Sequence, residues 1–188
     1  MRSRAVGIAV LAIAAAWCIA PVRASAQEPR SEAAVKGAFV YNFGKFVAWP
    51  AELNGEEPFA VCVLGRPDAF QDAVMALAGR TVQRRTIAPR RLQRAEEAAG
   101  CQILVIGQSQ SRRVDAILRT VQDQAVLTVS DIEGFAASGG MLGLLTAGGR
   151  VVFEVNVGAA QRAGLRLSPQ LIALGRRVDE SPVAGARK

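Results

Sequence analysis

Apolar residues recur at two different periods along this chain, and the change of period marks its elements. From Ser31 to Ala48 the positions Val35, Ala38, Phe39, Asn42 and Phe46 keep helical spacing, and Val40, Phe43 and Val47 widen the face. Ser31 has the chemistry of an N-cap and Trp49-Pro50 that of a stop, so the spacing predicts a helix over about 31–48. This helix and its stop hold five of the nine aromatic residues beyond residue 26: Phe39, Tyr41, Phe43, Phe46 and Trp49. A helix that is apolar around so much of its circumference is either deeply buried or in contact with a partner.

Beyond Pro50 the pattern becomes short apolar runs between breaks. Phe59 to Gly65 predicts a strand, and Gly65-Arg66-Pro67-Asp68 opens a helix of about 68–78 that Gly79 ends. Thr81 to Ala88 reads as a weak, polar strand towards an edge. Residues 89–99, basic and then acidic, predict a short helix. Cys101 to Ile106 is a continuous apolar run, the pattern of a strand covered on both faces. Ser109 or Ser111 starts a helix to about Val121, and Ala125 to Val129 is a further buried strand. Met141 to Thr146 and Val151 to Val157, joined by Ala147-Gly148-Gly149-Arg150, predict a hairpin that makes this edge of the sheet antiparallel. Ser168-Pro169 then opens a last helix through Leu171, Ile172, Leu174 and Val178. The fold class is therefore α/β. One domain over 27–180 has a mixed, mostly parallel sheet flanked by helices, with an antiparallel C-terminal hairpin and a loose tail at 181–188.

The first 26 residues stand apart. Arg2 and Arg4 precede an uncharged apolar stretch, Val6 to Ala20, and Ala24-Ser25-Ala26 supplies the small side chains a signal peptidase reads. That stretch is short of the roughly 20 residues a spanning helix needs, so a cleavable signal over 1–26 is expected in preference to an anchor. Its removal takes away three arginines and no acid, which lowers the formal charge from +7 to +4. Such a mild excess does not describe a nucleic-acid binder. Two cysteines then remain, Cys62 and Cys101, both in strand-like runs. In an oxidising compartment they read as a disulfide, the alternative being two buried thiols.

Catalytic chemistry is poorly supplied. The chain has no histidine, which excludes Ser-His-Asp and Cys-His machinery and the commonest metal ligand. No Walker or GxGxxG pattern occurs, and no cofactor or metal is expected. On the strand 151–157, Glu154 and Asn156 share a face, and Arg166 is within reach of it by sequence pattern. These three are either a small polar pocket or contact surface, or a structural hydrogen-bond set. Tyr41, Lys45 and Trp49 are candidates for an exposed rim on the aromatic helix. Arg80, Arg84, Arg85, Arg90, Arg91 and Arg94 form a basic stretch that reads either as a receptor- or lipid-facing surface or as a solvated face. Asp131, after the strand ending at Ser130, reads as a cap.

Several blocks resemble one known family. The run from Val35 to Pro50, VKGAFVYNFGKFVAWP, is similar to the opening signature of the YfiR family. Leu127-Thr128-Val129-Ser130-Asp131, Gly134-Phe135, Gly139-Gly140-Met141, Arg150 to Asn156, Ala159-Ala160, Gly164-Leu165 and Leu167-Ser168 follow in the family's order. The resemblance covers about 31–178. It implies a periplasmic, non-enzymatic, dimeric regulator. Such a regulator binds the sensor domain of an inner-membrane diguanylate cyclase, lowers cyclic di-GMP and restrains biofilm formation. It also implies that Cys62 and Cys101 match one family disulfide, whereas a second one, near the later glycines, has no cysteines here. The other reading of the sequence is a periplasmic carrier or sensor of a small ligand, using Glu154, Asn156 and Arg166.

Overall fold

The computed structural model describes residues 31–50 and 57–179. The expected signal at 1–26 and the tail at 181–188 lie outside the described residues. In chain order the elements are α1 (Glu32–Phe46), β1 (Val47–Ala48), β2 (Phe59–Leu64), α2 (Ala69–Met75), β3 (Thr81–Val82), β4 (Arg85–Leu92), β5 (Ile103–Ile106) and α3 (Val114–Val121). They continue with β6 (Leu127–Ser130), β7 (Leu142–Ala147), β8 (Arg150–Val155), α4 (Val157–Arg162), β9 (Arg166–Leu167), α5 (Pro169–Leu174) and β10 (Arg176–Arg177).

Eight strands form one sheet in the order β10-β8-β7-β6-β5-β2-β4-β3, and β1 pairs with β9 as a separate antiparallel ribbon. The steps from β4 through β2, β5 and β6 to β7 are all parallel. The parallel centre follows from the sequence: β2 and β5 are apolar throughout, β6 alternates Leu127 and Val129 with buried Thr128 and Ser130, and all three are covered on both sides. Their alternating side chains divide between two cores. Phe59, Val61, Val63, Ile103, Val105, Leu127 and Val129 join the core under α1 and α2, while Cys62, Leu64, Leu104 and Ile106 join the core under α3. The aromatic helix belongs to the first of these. Phe39, Phe43 and Phe153 pack with ring centroids 5.2–5.8 Å apart.

The mixed α/β class, the parallel centre and the C-terminal hairpin agree with the sequence pattern, and several boundaries differ. Ser31 caps α1 as predicted, its Oγ accepting from Ala34 N at 3.2 Å. The helix stops at Phe46, two residues early, because Val47 and Ala48 are drawn into β1 opposite Leu167 and Arg166. The weak strand over 81–88 is two strands, turned at Gln83 and Arg84, which both have positive φ. β4 runs on to Leu92 and absorbs the basic half of the predicted short helix, leaving one 3-10 turn at Ala95–Ala98. Six residues of β4 pair with β2, and that ladder overrides a weak local preference. Neither Ser109 nor Ser111 caps α3. A 3-10 segment, Gln108–Arg113, precedes the helix, and Ser109 Oγ accepts from Arg66 N instead. The hairpin β7–β8 turns through Gly148-Gly149, both at positive φ, but it is not the sheet edge. α5 ends at Leu174, short of Val178, and β10 then adds in parallel outside β8.

Candidate functional site

Parallel pairing of β2 with β5 brings the two cysteines together. Cys62 and Cys101 form a disulfide with their Cα atoms 6.0 Å apart, closing a sequence separation of 39 residues. Both are fully buried. β4 sets Arg90 in register with Cys62. The guanidinium lies over the bridge, with Nε 3.1 Å from Cys62 Sγ and Nη2 3.2 Å from Cys101 Sγ. Next to Cys101, the Gln102 side chain accepts from Ala60 N at 2.6 Å.

Glu154 and Asn156 are buried side by side at the end of β8. Asn156 Oδ1 accepts from Ala159 N at 2.9 Å and so caps α4, while its Nδ2 donates to Ala136 O at 2.8 Å. Glu154 is paired by Arg176 of β10, and its Oε2 is buried without a hydrogen-bond partner. Arg166, the cation expected here from the sequence, lies elsewhere. It stands exposed on β9 opposite Ala48. The tertiary reason is β10: the added strand places Arg176 in register with Glu154. No spacing rule links those two residues in the sequence. Glu154, Asn156 and Arg166 therefore do not converge on one cavity.

On α1, Tyr41 and Lys45 come together as expected from their helical spacing. Lys45 Nζ and the Arg80 guanidinium each lie 4.0 Å from the Tyr41 ring centroid, and Tyr41 Oη donates to Thr81 O at 3.1 Å. Trp49 is not part of this rim. It is 3% exposed, packs edge-on against Phe59 at 5.2 Å and donates from Nε1 to Gln102 O. Ending α1 at Phe46 turns the chain inward and seats the indole in the core.

The basic stretch is divided by the strand it forms. Arg85 is buried and donates to Glu57 O and Pro58 O, and Arg91 pairs with Asp72 at 2.8 Å. Arg94 pairs with Glu97, Arg90 covers the disulfide, and Arg80 and Arg84 remain exposed. Burial disfavours the charge on Arg85 and holds its pKa below the usual arginine range. Asp131 is an ion-pair partner rather than a cap. It accepts from Lys36 Nζ at 2.8 Å, while Ser130 Oγ takes the Ile132 N–H. Lys36 also meets Glu32 at 2.7 Å, one helical turn away. Burial opposes the Lys36 charge, yet the bonds to Asp131 and Glu32 outweigh it and raise the pKa. The bond from Lys36, then one from Thr146, holds the Glu32 carboxyl below its ordinary range.

Sequence spacing missed Arg176 and the Lys36–Asp131 pair, and it named Arg90 and Arg80 only within the basic stretch, without the disulfide and the tyrosine ring they meet. All but Arg80 act across the sheet or between sheet and helix, at separations no local pattern encodes. Among the described residues no group of three His, Cys, Asp or Glu is placed to hold a metal ion. No described helix is long and apolar enough to cross a membrane. The arrangement offers charged and aromatic groups for recognition. A family model described as YfiR/HmsC-like matches residues 33–176, from the first turn of α1 to the start of β10. The chain belongs to the YfiR/HmsC-like family.

Proposed function

We propose that this protein is a periplasmic repressor that binds the sensor domain of an inner-membrane diguanylate cyclase and thereby lowers cyclic di-GMP. Family membership over residues 33–176 carries the reading. The YfiR/HmsC-like family is regulatory rather than catalytic and acts in periplasmic control of cyclic di-GMP signalling. The expected leader at 1–26 and the Cys62–Cys101 bond suit an oxidising envelope compartment.

Repression of this kind is a population shift. The regulator silences the cyclase by as much as it prefers the inactive sensor conformer over the active one. Reversing a 1:99 distribution takes about 5.5 kcal/mol of such preference. A homodimer would present two copies of the contact surface. Lys45, exposed on α1 over the half-buried Tyr41 ring, is with that ring a candidate for the contact, and Arg166 is a further exposed candidate. Glu154 and Asn156 are buried, and their part in this scheme is to fix the β8–α4 corner.

The test is co-purification. The mature, oxidised protein is mixed with detergent-solubilised inner membranes from its own cell, and the retained proteins are identified. Retention of a membrane diguanylate cyclase, abolished by deleting that cyclase's periplasmic domain, is the expected result. Retention of no cyclase at all would remove the proposal.

A further inference from the structure

We infer that the end of α1 and the tip of the β3–β4 hairpin form a docking surface for anionic lipid headgroups. Three cations gather there: Lys45, Arg80 and Arg84. All three are exposed, and none forms an ion pair among the described residues. Lys45 and Arg80 are both 4.0 Å from the centroid of one tyrosine ring, so their charges lie no more than about 8 Å apart, inside a Debye length. Two like charges are thus held close, and no carboxylate of the described residues pairs with either.

Arg84 supplies the independent observation. It occupies the second position of a two-residue turn, at φ 65°, where glycine is the usual residue. The residue before it, Gln83, also has positive φ, at 49°, and an internal reason for it. Its side-chain amide donates to Gly44 O at 2.9 Å and to Val47 O at 2.8 Å, covering free carbonyls at the end of α1. Among the described residues the Arg84 side chain makes no such bond. A strained, charged residue without an internal partner points outward for its role.

The shape selects the occupant. Gln83 ties the hairpin tip to residues 44–47, and Arg84 lines a shallow surface hollow with Ala48 just beyond the end of α1. Phe46 is 36% exposed, one of the few large apolar side chains on the described surface. A hairpin tip held against a helix end, with Lys45 and Arg80 on the Tyr41 ring, suits a headgroup layer, which requires no groove to receive it. An acidic protein is the competing occupant.

The test uses the mature, oxidised protein and vesicles of phosphatidylglycerol mixed with phosphatidylcholine, against phosphatidylcholine alone. Sedimentation with the anionic vesicles only, reversed by salt, is expected. Arg84→Gly should weaken binding about fivefold, the worth of one cation near such a surface. The same change relieves the turn and should raise the melting temperature by about 2–4 °C, so lost binding is not lost folding. Lys45→Gln with Arg80→Gln and Arg84→Gly should weaken binding about a hundredfold. Equal binding to both vesicles, or binding indifferent to the triple variant, would overturn the inference. Retention on immobilised polyglutamate through these same residues, without vesicle binding, would reassign the surface to an acidic protein. No cyclase is present in this assay, so its failure and the failure of the proposed repression are separate results.

Discussion

At the scale of single residues, burial decides what each charge does. Lys36 and Asp131 have side chains only 12% and 10% exposed, and each is tolerated there because it neutralises the other. The folded state holds the Lys36 proton more tightly than the unfolded chain does. Its contribution to stability is therefore complete below the unfolded value of about 10.4 and is lost as pH rises through the folded one. Thermal melts at about pH 9 and about pH 11 should show a drop for the native protein. Lys36→Met should shrink that drop, and an equal drop in both proteins would remove Lys36 from the account. Asn156 is the second residue whose burial sets its role. It satisfies a helix end and a loop carbonyl at once, so Asn156→Ala should cost about 2–3 kcal/mol. Asn156→Ser keeps the cap and loses the bond to Ala136, so it should fall between, read as shifts of the urea midpoint.

At the scale of elements, local pattern and tertiary pairing competed, and the outcome followed the strength of each. β2 and β5 were legible because continuous apolar runs have few alternatives to a covered strand, and β6 because the apolar residues from Ala125 to Leu127 lead into it. The caps at Ser31 and Ser168 were legible because a hydroxyl that bonds an N–H three residues on is local chemistry. β4 was legible only as far as Ala88, and β10 not at all. β4 is polar and contains Pro89, and it is a strand because β2 offers it a ladder. β10 is two arginines that become a strand on meeting β8. The glycines divide in the same way. Gly148-Gly149 announce a turn through their own backbone freedom. Gly107 has an ordinary φ of −75° and is glycine because a Cβ there would collide with the buried amide of Gln71.

At the scale of the whole molecule, the disulfide joins the strand that begins the sheet to the segment that enters its neighbour. Closing about 39 residues in the unfolded chain is worth roughly 4 kcal/mol on the chain-entropy account. Reduction, or Cys62→Ser, should lower the melting temperature by on the order of 10 °C. An unchanged melt in reductant would show that the two strands hold without the bond. Arg90 lies over both sulfurs, so attack on the bridge from that side must displace its guanidinium.

The order of apolar runs determined the α/β class, the parallel centre and the C-terminal hairpin, and local hydroxyl chemistry determined the caps at Ser31 and Ser168, because each depends on residues adjacent in the chain or one turn apart. The cysteine pair and the closeness of Tyr41 to Lys45 were likewise readable from position and type. Only the tertiary structure decided that Arg176, not Arg166, neutralises Glu154, that Trp49 is core, and that the arginine run divides between two faces and a buried site. Those outcomes turn on which strands become neighbours. Strand pairing is a free-energy balance over the whole sheet, and no segment carries it by itself.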